Sequence, residues 1–181
     1  MNDPKDLADM RALGESVLAA ALADRRHPAR YVTFCTMTEA GPAARTVMLR
    51  GWDGRNLSVQ TDGASAKVGE IAADPRVALV MWDASTDVQL RFSARAQIDV
   101  GAAEDWARMP PPARLNYGGA PAPGTPMGAA EDYVPGTDPS RFVIVSCAAQ
   151  SWEVLHLGRH MHRRALFEWQ GSDWAGTWIA P

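Results

Sequence analysis

Arg45-Thr-Val-Met-Leu-Arg50 combines β-branched and other apolar side chains with cationic and hydroxyl ones. This composition predicts a strand that is buried only in part. Asp53-Gly54 follows and predicts a hairpin, because this pair tolerates the positive φ of a tight two-residue turn. The returning strand is expected over residues 56–61. A helix is then expected over residues 65–74, where apolar residues recur at helical spacing before a proline.

Four polar side chains would meet where this helix begins. Thr61, Ser65 and Lys67 surround the predicted helix start, and Arg45 can reach it from the first strand. Unpaired N–H groups at a helix start favour anions, and a guanidinium can clamp two phosphate oxygens. Another interpretation makes Asp62 or Ser65 a simple helix cap and leaves Arg45 solvated. Taken together, the four side chains predict a phosphate pocket and an anionic cofactor.

Arg45 and Arg50 are separated by an odd number of positions. On a regular strand their side chains would therefore face opposite sides. Either the strand contains a bulge, or only one of the two arginines meets the phosphate. We assign the phosphate to Arg45.

The rest of the chain predicts a mainly β protein with peripheral helices. An amphipathic helix is expected over residues 6–24, and a second helical stretch near residues 102–109. Strands are expected over residues 31–37, 45–51, 57–61, 76–82, 87–100, 141–147, 152–157, 164–169 and 174–179, with the last two forming a hairpin. The short links favour an antiparallel barrel or sandwich over alternating βαβ units. The proline-rich residues 110–126 predict a long loop without helix or central strand, either a passive connection or a lid.

Several of these segments resemble the flavin-binding core of the pyridoxamine 5′-phosphate oxidase-like family. The resemblance rests on residues 45–50, Thr61-Asp62, Ser65-Ala-Lys67, Val88-Gln-Leu-Arg91, His162-Arg-Arg164, Trp174 and Ile179-Ala-Pro181. It implies an antiparallel FMN-binding split β-barrel. It also implies a homodimer whose FMN lies in a cleft between the two protomers.

The resemblance assigns roles to individual residues by position. The FMN phosphate would be held by Arg45, Thr61, Ser65 and Lys67. The ribityl chain and ring would lie beside Thr46, Val47, Met48, Leu49, Arg50 and Gln60, with further flavin contacts from Gln89 and Arg164. Residues facing the substrate would be Arg50, His160 and His162.

The substrate half of the chain departs from the family pattern. Ala66 stands where a second basic residue precedes the phosphate lysine, and His160-Met-His162 keeps only the last residue of an Arg-Leu-His motif. The Tyr, Arg and Ser that hold the substrate phosphate have no counterpart between residues 106 and 117. Leu155 replaces a tryptophan and Trp178 an arginine. These departures predict low or absent activity on pyridoxamine 5′-phosphate.

Two classes of function are consistent with this resemblance. The first is an FMN-dependent oxidase or reductase acting on a small molecule, with the redox chemistry supplied by the flavin. The second is a protein that stores, senses or carries FMN without fast turnover. A barrel that binds haem or a deazaflavin is a further alternative, although the predicted phosphate pocket favours FMN over haem.

The histidines offer a competing chemistry. His160 and His162 would share one face of a strand, as a metal site requires, and His156 is nearby in sequence. No third ligand with metal-type spacing is evident, so a structural or substrate-facing role is expected and no metal site is assigned. Cys35 and Cys147 are interpreted as small buried apolar residues.

Composition narrows the class of protein further. The chain has 181 residues, 46% of them hydrophobic, and a net charge of -3. This length predicts one domain over residues 1–181, comprising an N-terminal helix region over 1–28 and a Pro/Gly-rich loop over 110–139. A net negative charge provides no positive field to attract nucleic acid, so a nucleic-acid-binding protein is not expected. No signal sequence or membrane-spanning stretch is recognised, so a cytoplasmic protein without a membrane partner is expected.

Overall fold

The computed structural model describes residues 3–100 and 103–181. Within them, the helices are α1 (Leu7–Ala23), α2 (Ala66–Ala73), α3 (Ala103–Arg108) and α4 (Pro111–Arg114). The strands are β1 (Tyr31–Thr38), β2 (Gly41–Trp52), β3 (Asn56–Asp62), β4 (Arg76–Asp83), β5 (Val88–Val100), β6 (Asn116–Tyr117), β7 (Gly136–Thr137), β8 (Phe142–Leu157), β9 (His162–Trp169) and β10 (Trp174–Ile179). No helix in these ranges is long and apolar enough to cross a membrane.

Six strands close into an antiparallel barrel. Their order is β8-β3-β2-β1-β4-β5, and β5 pairs again with β8. The first half of β8 pairs with β3 and its second half with β9, so β9 and β10 extend the sheet beyond the barrel. The prediction of a mainly β, antiparallel barrel with peripheral helices is confirmed.

The barrel interior and α1 share one hydrophobic core. Trp152 is fully buried there, with its ring centroid 5.6 Å from Phe92 and 5.0 Å from Phe167. Helix α1 reaches this tryptophan through Gly14, where an added Cβ would lie 2.5 Å from the indole ring. The predicted N-terminal helix is present, and Asp6 caps it by accepting the Asp9 N–H.

The long strand β8 corrects one prediction. The sequence predicts separate strands over residues 141–147 and 152–157, but the structure has one continuous strand of 16 residues. β5 pairs with β8 through Ala94–Ala149 and then Ser93–Ser151, so Gln150 is an extra residue in a β-bulge. The bulge interrupts the alternation of buried and exposed side chains without ending the strand.

The proline-rich segment corrects a second prediction. Pro111–Arg114 forms one helical turn, which proline tolerates because the first turn leaves its N–H groups unpaired. Tyr117 then packs edge-on against Phe142, with ring centroids 5.1 Å apart, and the Gly118 N–H donates to Asp62 at 2.7 Å. The start of this segment is therefore fixed to the turn between β3 and α2.

Candidate functional site

Three predicted phosphate ligands lie together at the end of β3 and the start of α2. Lys67 Nζ donates to Thr61 Oγ1 at 2.9 Å, and the hydroxyl oxygens of Thr61 and Ser65 are 3.1 Å apart. Ser65 occupies the N-cap position of α2, but its side chain makes no capping hydrogen bond. The simple-cap interpretation of Ser65 is therefore wrong, because its hydroxyl faces Thr61 instead. We call these three residues, together with Arg45, the phosphate corner.

Lys67 brings a positive charge without an ion-pair partner to the phosphate corner. Its side chain makes no ion pair with any residue that the structure describes, and its hydrogen-bond acceptor is a hydroxyl. Burial lowers the pKa of Lys67 below its ordinary value and the Arg45 guanidinium lowers it further, whereas the Glu70 and Asp62 carboxylates act in the opposite direction. A half-buried cation without an anionic partner is stabilised when an anion binds beside it.

Arg45 reaches the corner from the inner face of β2, where it pairs with the fully buried Phe34. Its Nη2 donates to Glu70 Oε2 at 2.7 Å, and its Nη1 donates to Thr36. The Thr36 hydroxyl donates to the same Glu70 oxygen at 2.5 Å. Glu70 therefore neutralises Arg45 and holds its guanidinium in place.

Asp62 adds no free negative charge to the corner. Its Oδ1 accepts hydrogen bonds from Arg141 Nε at 2.9 Å and from Arg141 Nη2 at 2.6 Å. The same oxygen accepts the Ala64 N–H, which fixes the turn that leads into α2. The carboxylate thus shapes the corner while the arginine neutralises it.

A β-bulge at Arg50 resolves the odd spacing of the two arginines. β2 pairs with β3 through Leu49–Val59 and then Gly51–Ser58, so Arg50 is the extra residue. Its side chain is exposed, whereas Arg45 points into the barrel end. Arg45 alone of the two lies at the phosphate corner.

The residues between these arginines divide between two faces. Leu49 is fully buried and Val47 packs against the core, so only their backbone groups can contact a ligand. Thr46 is exposed on the opposite face. Met48 lies on that outer face too, where it lines a cavity of about 330 Å³ together with Arg50 and Gln60.

Gln89 and Arg164 lie far from the phosphate corner. They occupy one row on the outer face of β5, β8 and β9, because Leu155 pairs with both. The β8 partner of Thr61 is Val143. The length of strand between Val143 and Leu155 is roughly 40 Å, at about 3.3 Å per residue. Arg164 Nε donates to Glu153 at 2.8 Å, and Arg91 lies 3.5 Å from the same carboxylate. One protomer therefore carries two separate groups of predicted flavin contacts.

The histidines and cysteines do not assemble a metal site among the described residues. His160 precedes β9, so the strand alternation expected for a pair with His162 does not apply. Both histidines are exposed, and His162 lines a second cavity of about 260 Å³ with Arg164 and Trp178.

The two cysteines are free thiols in different environments. Burial raises the pKa of the Cys147 thiol to about 12, in agreement with its interpretation as a buried apolar residue. Cys35 is only half-buried, because it lies on the outer face of β1 and not in the core.

Residues 12–99 match the family model described as pyridoxamine 5′-phosphate oxidase, FMN-binding domain. The chain carries a pyridoxamine 5′-phosphate oxidase-like FMN-binding domain. FMN is the cofactor of this domain. A pyridoxine/pyridoxamine 5′-phosphate oxidase from Nostoc sp. is 33% identical over 96 residues, which cover 52% of this chain and 43% of that relative. The chain thus spans less than half the length of the curated relatives it matches.

Solved structures establish the fold of this FMN-binding domain as a split barrel. A pyridoxamine 5′-phosphate oxidase-related, FMN binding protein from Nostoc punctiforme has a TM-score of 0.78 at 24% identity, covering 98% of this chain and 100% of the other. PhzG from Burkholderia lata, in complex with tetrahydrophenazine-1-carboxylic acid, has a TM-score of 0.76 at 20% identity, covering 94% and 92%. The predicted family, barrel type and cofactor are confirmed.

The donor set of the phosphate corner fits FMN. Lys67 offers an ammonium without an anionic partner, and Thr61 and Ser65 offer hydroxyls at the start of a helix that no side chain caps. Glu70 was not predicted, although its position three residues after Lys67 places both on one helix face. Glu153 was not predicted either, because only the strand register gives a signal for it.

Proposed function

We propose that this FMN-binding domain is an oxidoreductase acting on a small molecule. The observation that carries the proposal is the cavity of about 330 Å³ beside Met48, Arg50 and Gln60, the residues expected next to the flavin ring. A cavity of this size fits a small ligand. A protein that only stores FMN needs no second ligand cavity beside the ring.

Each group of residues has a binding or positioning role in this proposal. Lys67, Thr61 and Ser65 bind the phosphate, and Arg45, whose charge Glu70 offsets, lies beside them as a further guanidinium donor. The residues of β2 and Gln60 orient the ring against the cavity. FMN, when bound, supplies the electron transfer, while the protein positions the substrate and excludes water. Tyr117 and the neighbouring Asn116 and Ala113 line the cavity as well.

We also infer that the protein is a homodimer with a shared cofactor site. The phosphate corner and the Gln89–Arg164 row are too far apart to contact one FMN within a protomer. A two-fold axis would bring the corner of one copy to the row of the other. Exposed Trp82, which pairs with Gln89, and exposed Trp178 supply aromatic area for such an interface.

Reduction of the reconstituted protein tests the catalytic proposal. The protein is loaded with FMN, desalted and mixed anaerobically with NADH or NADPH, and the flavin absorbance is followed before and after air is admitted. We expect NADH or NADPH to bleach the flavin absorbance and air to restore it rapidly. Retained FMN that no donor reduces would contradict the proposal and favour a carrier or sensor of FMN, which the missing substrate motif also suits.

Mixing two variants with weakened FMN binding tests the shared site. Lys67→Met weakens the corner half of the site, and Arg164→Gln weakens the row half. Subunit exchange between these variants should restore full FMN affinity to about a quarter of the cofactor sites, because each mixed dimer rebuilds one intact site. FMN retention that does not recover on mixing, or a flavin-loaded monomer in light scattering, would rule out the shared site.

A further inference from the structure

Residues 116–141, which we call the strap, begin and end beside the phosphate corner. Strand β6 lies at the start of the strap and β7 near its end, and the two pair in parallel. Between them, residues 123–135 are exposed. The strap also lies outside residues 12–99, the part of the chain that matches the FMN-binding family model. The two ends of the strap are therefore the parts that hold it to the barrel.

Asp62 is the residue to which both ends of the strap are attached. It is 6% exposed and directly follows Thr61 of the phosphate corner in β3. Its Oδ2 accepts the Gly118 N–H at 2.7 Å, and its Oδ1 accepts Arg141 Nε at 2.9 Å and Arg141 Nη2 at 2.6 Å. The Arg141 carbonyl oxygen accepts the Gly63 N–H at 2.7 Å. One carboxylate therefore joins the strap to the turn that leads into the corner.

Close packing between the two ends links their contacts with Asp62. Gly118 has a φ of +86°, and an added Cβ would lie 2.4 Å from the Cβ of Asp138, so only glycine fits there. The Asp138 N–H donates to the Tyr117 carbonyl oxygen at 3.1 Å, and the Arg141 N–H donates to the Asp138 carbonyl oxygen at 3.1 Å. The hydrogen bonds of Gly118 and Arg141 to Asp62 should therefore form and break together.

Arg141 is the ion-pair partner of Asp62, and no other is present within residues 3–100 and 103–181. The charge of Asp62 reaches the phosphate corner, because burial lowers the pKa of Lys67 and the Asp62 carboxylate acts in the opposite direction. It also reaches the strap. Burial raises the pKa of Tyr117, Arg50 lowers it, and Asp62 raises it further. Loss of Arg141 would leave this nearly buried carboxylate without a compensating charge.

A phosphate at the corner distinguishes two states of Asp62. With the strap attached, Arg141 neutralises the carboxylate, which then repels a phosphate only weakly. With the strap detached, a bare carboxylate next to Thr61 faces the phosphate, and two like charges at close range repel strongly. The protein with its strap attached should therefore bind FMN more tightly. By thermodynamic linkage, bound FMN must favour attachment of the strap to the same extent.

We propose that Asp62 and Arg141 are positioning residues that couple attachment of the strap to binding of the FMN phosphate. This inference rests on the proposed placement of the phosphate at the corner, and it adds a second element that responds to the same site. The strap also contributes Asn116 and Tyr117 to the lining of the cavity of about 330 Å³. The FMN-loaded protein therefore holds this part of the cavity wall more firmly than the apoprotein does.

FMN dissociation constants of charge variants test the coupling. Arg141→Gln should weaken FMN binding about tenfold, because it leaves the Asp62 carboxylate without a neutralising charge. The double variant Asp62→Asn, Arg141→Gln should bind FMN within about threefold of the unmodified protein, since two amides can keep a hydrogen bond without a charge. Asp62→Asn alone should not weaken FMN binding, and Arg141→Lys should retain most of the affinity. These variants remain informative even where Arg141→Gln fails to fold.

Hydrogen exchange at the Gly118 amide measures attachment of the strap directly. Peptides that contain this amide are followed by mass spectrometry in the apoprotein, with saturating FMN, and with riboflavin, which has the same ring system but no phosphate. FMN should slow the exchange by at least about threefold, riboflavin should not, and the double variant should lose the effect of FMN. Glu131→Gln removes an exposed carboxylate of the strap and should leave the effect of FMN unchanged.

The outcomes separate this inference from the proposed function. A double variant that binds FMN as weakly as Arg141→Gln would overturn the coupling, because Arg141 would then contact the phosphate or only maintain the fold. Equal exchange at Gly118 with and without FMN would also overturn it. Full FMN affinity in Lys67→Met would refute the phosphate corner and this inference together, whereas full affinity in Arg141→Gln alone would refute only the coupling. None of these measurements depends on turnover, so the oxidoreductase proposal is tested separately.

Discussion

The phosphate corner and the Gln89–Arg164 row are built in different ways. The corner comes from β2, β3 and the start of α2, which are consecutive in the chain. The row comes from β5, β8 and β9, and it exists only because these strands pair in one register. A short stretch of sequence can therefore specify the corner, whereas the row depends on the whole barrel.

Their charges also differ in environment. Lys67 is half-buried without an anionic partner, while Arg164 is already paired with Glu153 on the outer face. A guanidinium that a carboxylate already neutralises offers less net charge to a phosphate than an unpaired ammonium does. The corner should therefore dominate FMN affinity, and the row should contribute less and only when a second copy is present.

Loss of the Lys67 ammonium should have the largest effect. We expect Lys67→Met to weaken FMN binding by about 10- to 100-fold, since a charge-assisted hydrogen bond contributes about 1.5–3 kcal/mol. Quenching of FMN fluorescence measures the dissociation constant. Lys67→Arg should retain most of the affinity, and Lys5→Met, at an exposed lysine, serves as the control. A change within twofold for Lys67→Met would place the phosphate elsewhere.

Arg164→Gln should have a smaller effect on FMN binding. We expect a loss of about three- to tenfold, because the charge of a guanidinium already paired with a carboxylate is partly offset by that partner. Arg91→Gln is the matched control, since it contacts the same Glu153 without an expected flavin contact. FMN dissociation constants measured at different protein concentrations would show whether this loss of affinity occurs only when the dimer is formed. Equal losses for the two variants would remove Arg164 from the cofactor site.

The corner was predictable from sequence because its geometry is local. Residues 45–67 contain both strands, the hairpin and the helix start, so periodicity and turn chemistry were sufficient to bring Thr61, Ser65 and Lys67 together. The same reasoning could not locate the bulges at Arg50 and Gln150, because a bulge is defined by the partner strand. The burial of Arg30 was not predictable from sequence for a related reason. Its burial results from packing against the end of α1 and has no signature in its neighbours.

Alkaline pH should weaken FMN binding by a few-fold through Lys67. Its pKa in the folded apoprotein lies below the ordinary lysine value, so it loses its proton, and with it the phosphate contact, at a lower pH than an exposed lysine. The free energy of unfolding of the apoprotein should instead increase as the pH rises. The depressed pKa means that the charged form is disfavoured on folding, and this penalty disappears as pH rises through the folded pKa.

Titration of FMN from neutral to alkaline pH measures this effect. The Lys67→Arg variant is the control, because its guanidinium stays protonated throughout and should abolish the alkaline loss. An alkaline loss that persists unchanged in Lys67→Arg would assign the titration to another group and leave the role of Lys67 unsupported.

Glu70→Gln should give the smallest change in affinity and the most specific information about the corner. The substitution removes the carboxylate that neutralises Arg45, so the guanidinium becomes available to the phosphate. We expect FMN affinity to rise by about two- to threefold. The free energy of unfolding of the apoprotein should fall by about 1–3 kcal/mol, because a half-buried arginine loses its partner.

Urea denaturation without and with saturating FMN distinguishes these two consequences. Bound phosphate can replace the lost carboxylate, so the destabilisation by Glu70→Gln should be smaller in the presence of FMN. Glu15→Gln breaks an exposed pair with Arg11 and should change neither quantity appreciably. An equal loss of stability with and without FMN would mean that Arg45 does not sense the phosphate. Arg45 would then be a structural partner of Glu70, and the corner would reduce to Thr61, Ser65 and Lys67.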